Sequence, residues 1–223
     1  MSEPEPMYRL IEVVLRPAIG WWFSWQLDGM DRVPAGGPLL VAGNHVSHFD
    51  PLAHGFFLSR AGRRPRYLAK SELWRNGFLR PVLDGTHQIP VDRGTGRSAP
   101  VDAAVESLQR REVVVFYPEA TTTRNPDHTP MQGKTGIARV ALRWGVPVLP
   151  LAVWGTHHVL QKRERGLTFG RAIWVRAGNP LDFAEFAGRG EEPAILRKVT
   201  DQVMAELARL VEEMRQAYPA RWA

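Results

Sequence analysis

The sequence contains no cysteine. This absence excludes a disulfide framework, a cysteine nucleophile and thiolate metal sites, and it suits a reducing compartment. Long apolar runs are missing as well, so the sequence predicts no transmembrane helix. Acidic residues and prolines precede the first apolar stretch, and the sequence therefore predicts no secretory signal pattern at its start.

Several motifs of catalytic and cofactor-binding sites are also lacking. No G-x-S-x-G is present, which leaves a serine hydrolase elbow unsupported. Gly133-Lys134-Thr135 resembles the end of a phosphate-binding P-loop, but His128 stands where the first glycine is required. The histidines show no H-E-x-x-H or comparable ligand set, so the sequence predicts no metal site. His157-His158 is interpreted as a turn, with a substrate-facing position as the alternative.

The 223 residues are enough for one sizeable α/β domain with a buried core. The formal net charge is +6. Such a balance favours anionic partners, which include nucleic acid, phosphorylated small molecules, an acidic carrier protein and an anionic membrane surface.

The first apolar element runs from Met7 to Leu27 and contains Trp21, Trp22 and Trp25. Tryptophan favours the membrane–water boundary, where its ring is buried and its N–H stays hydrated. We therefore predict that residues 1–30 form an amphipathic helical segment that associates with a membrane, followed by a catalytic domain over residues 31–223. The alternative is a helix that covers the core of its own domain.

Apolar strand-like runs alternate with helical patterns along the rest of the chain. The clearest are Leu39 to Ala42, Val113 to Tyr117 and Val146 to Trp154. This alternation predicts a single layered α/β domain with a mostly parallel sheet flanked by helices.

The stretch Gly43 to Asp50 lies where the first of these strands passes into a helix that begins near Pro51. A histidine that removes a proton from a hydroxyl needs a carboxylate partner to fix its tautomer and stabilise the imidazolium. His45 and Asp50 can serve as this pair, provided that the intervening turn folds back. A satisfied loop histidine is the alternative.

Polar residues follow several of the predicted strands. Arg93 follows one strand, Glu119 follows another, and Thr121 and Arg124 come soon afterwards. Because open α/β sheets place ligands at the carboxyl ends of their strands, these residues can converge on one site. Two arginines near a histidine base suggest an anionic substrate, whereas ordinary solvated loop charge is the alternative for any single residue.

Four sequence blocks together resemble the glycerolipid acyltransferase family, that is, the PlsC-like 1-acyl-glycerol-3-phosphate acyltransferases and their relatives. The stretch from Asn44 to Asp50 matches the family block N-H-x-S-x-x-D. Ile89 to Arg93 is similar to a block that ends in a phosphate-binding arginine. Tyr117 to Thr121 is similar to F-P-E-G-T, and Val146 to Pro150 matches V-P-x-x-P.

The third block departs from the family pattern. Ala120 replaces the usual glycine, and Thr122 stands where the family has arginine. Arg124 is the nearest substitute, and Lys134 is the alternative. We expect the loop without its glycine to follow a different path that brings Arg124 inward.

The resemblance implies an enzyme that moves a fatty acyl group from acyl-CoA or acyl carrier protein to the hydroxyl of lysophosphatidic acid in phospholipid biosynthesis. His45 would be the base and Asp50 its partner. Backbone N–H groups near Pro51 or the side chain of Asn44 would stabilise the oxyanion. The acceptor would be held by a second group of residues, namely Arg93, Glu119, Thr121, Arg124 and Lys134.

The resemblance also implies a peripheral location on the cytoplasmic face of a membrane, with no metal, no cofactor and no nucleic acid partner. Glycerol-3-phosphate or another lysophospholipid is an alternative acceptor. A thioesterase in which His45 activates water and a non-catalytic lipid-binding module are alternatives of other classes.

Overall fold

The computed structural model describes residues 5–92, 99–160 and 166–222 of the chain. The strands in these ranges are β1 (Ser24–Asp28), β2 (Leu39–Gly43), β3 (Pro65–Lys70), β4 (Ile89–Val91), β5 (Val113–Phe116), β6 (Val148–Trp154) and β7 (Ala172–Ala177). They form one sheet in the order β1-β7-β6-β2-β5-β3-β4.

All neighbouring strands of this sheet run parallel except β6 and β7, which are antiparallel. The mostly parallel α/β sheet expected from the sequence is thereby confirmed. Strand β2 lies between β5 and β6, and the three are parallel. The segments that follow them therefore meet at one edge of the sheet.

The helices lie on both faces of the sheet. They are α1 (Pro6–Leu10), α2 (Arg16–Trp22), α3 (Asp50–Arg60), α4 (Arg80–Gly85), α5 (Ala99–Gln109), α6 (Gly136–Trp144), α7 (Thr156–Val159) and α8 (Pro193–Ala217). A π-helical turn, Ile11–Leu15, joins α1 to α2, and short 3-10 turns occupy Met30–Arg32, Ser71–Arg75, Ala184–Phe186 and Ala220–Trp222. Buried side chains of α5, α6 and α8 form the core on one face, and those of α2 and α3 form it on the other.

The N-terminal amphipathic helix ends at Trp22, so the expectation that this element continues to Leu27 is wrong. Phe23 takes extended backbone angles, and Ser24–Asp28 forms the edge strand β1 paired with β7. In a strand, alternate residues share a face. Trp25 accordingly turns inward and stacks on Phe56, with ring centroids 4.1 Å apart.

An ion-pair cluster at the start of α1 fastens the N-terminal segment to the sheet. Arg66, on β3, is 4% exposed. It donates hydrogen bonds to both carboxylate oxygens of Glu5, at 2.8 and 3.0 Å, and to Glu112 at 3.1 Å. The Tyr8 hydroxyl, one helical turn further on, donates to the carbonyl of Pro65.

The same N-terminal segment leaves large apolar side chains in contact with solvent. Val13 is 74% exposed and Trp21 is 84% exposed. Helix α1 packs against α4, which follows the 92% exposed ring of Phe78. No helix in the described ranges combines the length and the apolar character needed to cross a membrane.

Candidate active site

His45 and Asp50 form a hydrogen-bonded pair at the carboxyl end of β2. The distance from His45 Nδ1 to Asp50 Oδ2 is 2.8 Å. The Asp50 side chain is fully buried at the first residue of α3, whereas the His45 side chain is 14% exposed. The chain folds back between the two residues, as the sequence interpretation requires. With Nδ1 bonded to the carboxylate, Nε2 is the ring atom available to a substrate hydroxyl.

The turn is held in this shape by the carboxylate itself. Asp50 Oδ2 accepts hydrogen bonds from the backbone N–H groups of Val46, at 2.7 Å, and Ser47, at 2.8 Å. Asp50 Oδ1 accepts one from the Thr156 hydroxyl at 2.5 Å. Together with the histidine, the carboxylate has four donors, which compensate its complete burial.

Thr156 is the member of this group that sequence reasoning missed. It is the first residue of α7, it directly follows the turn after β6, and it is fully buried. It lies 106 residues from Asp50 in the chain. The only signal in the sequence is its place just beyond a strand end, which many polar residues share.

We expect Thr156→Val to lower the free energy of unfolding by about 1–3 kcal/mol, because it leaves a buried carboxylate oxygen without its donor. Thr156→Ser retains the hydroxyl and should recover most of this loss. Chemical denaturation of the variants measures the difference. Thr200→Val is the matched control, because that buried hydroxyl donates only to the helix carbonyl of Leu196. Equal losses at Thr156 and Thr200 would contradict the assignment.

Glu119 holds the backbone of His45 and is itself enclosed. Its Oε1 accepts the N–H of His45 at 2.9 Å, and its Oε2 accepts the N–H of Met131 at 2.9 Å. Burial raises the pKa of Glu119, and the two backbone N–H bonds oppose that shift. With both oxygens engaged and 4% exposure, Glu119 fixes the position of the His45 backbone, and its contact with an acceptor stays a prediction.

Asn44 is likewise engaged within the fold. Its amide donates to the carbonyl of Val153 at 3.0 Å and accepts the N–H of Val153 at 2.7 Å, which ties the end of β2 to β6. The side chain is fully buried. This geometry does not favour Asn44 as the donor to an oxyanion.

An aromatic wall stands behind the His45 imidazole. The Tyr117 ring stacks on it with centroids 4.6 Å apart, and the Tyr117 hydroxyl lies 2.9 Å from Nδ1 of His54. Burial lowers the pKa of His54 to about 4, so this ring is neutral at ordinary pH. A Cβ atom on Gly43 would lie 2.9 Å from His54 and 3.0 Å from Tyr117. Glycine at the end of β2 is therefore required for the His54 and Tyr117 rings to pack this closely against the backbone.

The loop after Glu119 keeps a glycine-like conformation even though the glycine is missing. Ala120 has a φ of +57°, in the left-handed region that costs a non-glycine residue roughly 1–2 kcal/mol. Glycine adopts this left-handed φ freely. The different loop path that brings Arg124 inward stays a prediction. Thr122, in the position of the family arginine, is 5% exposed.

Arg124 and Lys134 occupy different surroundings. Arg124 is exposed and lines a cavity of about 490 Å³, together with Val46, Thr123, Asn125, His128, His157, His158 and Leu160. The Lys134 side chain is exposed and outside this lining set, and its backbone N–H binds the carbonyl of Pro118. Thr121 is half-buried in the same loop.

The remaining expectations concern Arg93 and metal ions. Arg93 lies outside the described residues, and β4 ends just before it, at Val91. Within residues 5–92, 99–160 and 166–222, no three histidine or carboxylate side chains are grouped as metal ligands would be.

Comparison with known proteins agrees with this architecture. Residues 24–154 match the family model described as Acyltransferase. The 1-acyl-sn-glycerol-3-phosphate acyltransferase of Bacillus subtilis is 23% identical over 213 residues, covering 93% of this chain and 100% of that protein. The enzyme of the same name from Borreliella burgdorferi is 28% identical over 183 residues, covering 81% and 70% of the two chains.

A similar solved structure is that of PlsC, the 1-acyl-sn-glycerophosphate (LPA) acyltransferase from Thermotoga maritima. It aligns with a TM-score of 0.72 and 27% identity, over 96% of this chain and 80% of that one. The matched family region contains both His45 and Asp50 and extends over more than half of the sequence. The chain thus belongs to the acyltransferase family.

Proposed function

We propose that this protein transfers an acyl group from an acyl thioester to the free hydroxyl of a 1-acyl-sn-glycerol 3-phosphate. The observation that carries this proposal is the hydrogen-bonded pair of His45 and Asp50, at 2.8 Å, within an acyltransferase chain. The relatives named as 1-acyl-sn-glycerol-3-phosphate acyltransferases supply the acceptor class.

The reaction needs one base that later returns its proton. Nε2 of His45 removes the proton from the acceptor hydroxyl while that oxygen bonds to the thioester carbonyl carbon. Asp50 stabilises the imidazolium. The tetrahedral intermediate collapses, the carbon–sulfur bond breaks, and the departing thiolate takes the proton from His45. The products are a diacyl glycerol phosphate and a free thiol.

A thioester is already activated, so the proposed mechanism includes no cofactor and no covalent enzyme intermediate. The oxyanion needs at least one hydrogen-bond donor. Within the described residues from His45 to Ala53, the backbone N–H groups have internal acceptors at every non-proline position except His48. We therefore propose the His48 N–H as that donor.

An acyl-transfer assay with a panel of acceptors tests this function. Thiol release from acyl-CoA or acyl carrier protein should require an acceptor, and lysophosphatidic acid should be preferred over glycerol-3-phosphate and over lysophospholipids with head groups. Thiol release without any acceptor would instead identify a thioesterase. No release from either donor would indicate a non-catalytic lipid-binding module.

We further propose that Arg124 binds the acceptor phosphate, with Arg93 as the second contact. Arg124→Ala should raise the acceptor KM about tenfold or more, because it removes a charge-assisted bidentate contact, and should leave the donor KM unchanged. The acceptor KM of Arg124→Lys should lie between those of the wild type and Arg124→Ala, because lysine keeps the positive charge but cannot form the bidentate contact of a guanidinium. Lys134→Ala is the matched control, and a higher acceptor KM for it alone would contradict the assignment.

Peripheral association with the cytoplasmic face of a membrane is also proposed, through the exposed apolar side chains of the N-terminal segment and of residues 76–82. Replacing both Trp21 and Phe78 with serine should weaken liposome binding tenfold or more, because each aromatic side chain contributes about 1.5–3 kcal/mol when buried. Liposome flotation measures this effect. A deletion up to Asp28 is unsuitable as a test, since it would remove strand β1 and the Glu5–Arg66 ion pair.

Trp144→Ser is the matched control for this experiment. Trp144 is 36% exposed and lies on α6, on the opposite face of the sheet from α2. If Trp144→Ser weakened flotation as much as the double substitution, the membrane-facing surface would lie elsewhere.

A further inference from the structure

Three histidines from two separate segments form a stack in the cavity beside His45. The ring centroids of His128 and His157 are 4.1 Å apart, and those of His157 and His158 are 4.0 Å apart. Trp154, at the end of β6, contacts the central ring edge-on at 4.7 Å. His128 comes from the loop after β5, and the other two come from α7.

The cavity adjoins the catalytic pair directly. Val46, which lines it, follows His45 in the chain, and the N–H of Thr123, also in the lining, donates to the carbonyl of His45 at 2.6 Å. Helix α7 supplies the Thr156 hydroxyl to Asp50 and the next two residues to the cavity wall. A small polar ligand in this cavity would therefore lie next to the dyad.

The lining is rich in nitrogen donors. Arg124 provides a guanidinium, and the imidazoles provide N–H groups that become double donors when protonated. Nδ1 of His157 is buried and has no hydrogen-bond partner among the described residues. Such a wall fits an anion with several acceptor oxygens, and a phosphate monoester has three.

Building on the proposed function, we infer that His128, His157 and His158 join Arg124 in binding the phosphate of the lysophosphatidic acceptor. They compensate for the guanidinium that Thr122 does not provide. Among the described residues no three histidine or carboxylate side chains are grouped so that they could hold a metal ion, so these rings do not favour a metal in place of the phosphate.

In the ligand-free wall the two α7 histidines are neutral, and a phosphate ligand should change that. Burial lowers the pKa of His157 to about 3, and the neighbouring imidazoles of His158 and His128 add to the shift. Burial also lowers the pKa of His158, with smaller contributions from Arg171 and His128. A phosphate dianion favours the protonated imidazoles, so binding should take up protons, and it should strengthen as the pH falls.

The charged and titratable groups around the stack come from four elements. Arg124 and Asp127 belong to the loop that carries His128, and Arg171 precedes β7. The Tyr218 ring, after α8, stacks on His158 at 5.9 Å, and Arg215 on α8 lowers the pKa of Asp127 as a minor cause. Among the described residues, the groups that shift the two α7 histidines are cations or imidazoles.

Calorimetric titration with 1-hexanoyl-sn-glycerol 3-phosphate at pH 7.5 tests the inference without requiring turnover. The ligand is a dianion there, since its second pKa is about 6, and a cationic site would make the ligand lose protons instead of gaining them. Net proton uptake, measured in buffers of different ionisation enthalpy, therefore comes from the protein. Uncharged 1-hexanoyl-glycerol should bind without uptake.

His157→Asn and His158→Asn should each lower the affinity about tenfold and reduce the proton uptake, with melting temperatures recorded for both. His87→Asn is the matched control, because His87 is exposed ahead of β4, and asparagine tolerates its φ of +50°. Unchanged binding in both α7 variants, or binding by the wild type without proton uptake, would overturn the inference.

Titration with free CoA distinguishes the two possible sources of the bound phosphate, namely the acyl acceptor and the CoA of the acyl donor. If the α7 variants weaken CoA binding and leave the acceptor analogue unaffected, the cavity belongs to the donor and the inference is overturned. Failure of the proposed function gives a different result: the wild type would bind the analogue with proton uptake and form no diacyl product.

Discussion

Replacing His45 with alanine should lower the rate of acyl transfer by about 10²–10⁴-fold while leaving the fold intact, because the variant loses the group that accepts the hydroxyl proton. The fold should survive since the His45 side chain is at the sheet edge and bonds to Asp50 alone among the described residues. Three donors to the carboxylate remain. Acceptor-dependent thiol release measures the rate, and circular dichroism checks the fold.

His48→Ala provides the matched control for this substitution. Its ring is exposed, with its centroid 6.1 Å from that of His45. The proposed oxyanion contact uses only the backbone N–H of His48, which alanine retains. We expect a loss of less than about tenfold. A folded His45→Ala protein with wild-type turnover would overturn the mechanism.

Asp50→Asn should cost about 10²–10⁴-fold in kcat, and the cause should be the lost charge. Three N–H donors meet at Oδ2, so the new amide oxygen must take that position. The amide nitrogen then faces Thr156, whose hydroxyl can turn and accept. His45 would keep its tautomer, and the carboxylate that stabilises its imidazolium would be missing.

A double-mutant cycle with Thr156→Val checks this account. Thr156→Val removes a charge-assisted bond from the wild type but only a weaker neutral bond from the Asp50→Asn variant, so the two substitutions together should destabilise the protein by less than the sum of their separate effects. Asp50→Glu is the charge-retaining comparison. Full activity of Asp50→Asn would show that the negative charge is unnecessary.

The sequence predicts the hydrogen-bonded pair of His45 and Asp50 because the information is local. His45 and Asp50 are five residues apart, and the apolar strand before them fixes their place at the sheet edge. The parallel pairing of β5 with β2 then brings the third sequence block to the same edge, whereas the fourth block lies at the start of β6. Strand patterns and short spacings were sufficient for that part of the site.

The supporting contacts were not predictable, because they depend on burial and on distant parts of the chain. Asn44 and Glu119 carry the polar groups of a binding site, yet their bonds to the backbone of Val153 and His45 enclose them. Thr156 reaches Asp50 across 106 residues. A turn is the preferred interpretation of His157 and His158 and a substrate-facing position the alternative, and the three-dimensional arrangement places both in the wall of a cavity.

The edge strand β1 was missed for a different reason. Apolar residues follow one another closely before and within Ser24–Asp28. Trp25 and Leu27 therefore fit the helical pattern of the preceding residues and were assigned to that element. A five-residue strand gives too few alternations to compete with the longer helical pattern that precedes it. Pairing with β7, about 150 residues further along the chain, decides its conformation.

The ion pair between Glu5 and Arg66 has a mechanical consequence. Breaking a buried pair of this kind costs about 3–5 kcal/mol, so the N-terminal helix should move with the sheet as one rigid piece. If this helix binds a bilayer, its binding would then fix the distance of the whole molecule from the membrane and its tilt relative to the membrane plane. The depth of His45 relative to the lipid head groups would then depend on the Glu5 carboxylate, which lies near the start of β3 and takes no part in the chemistry.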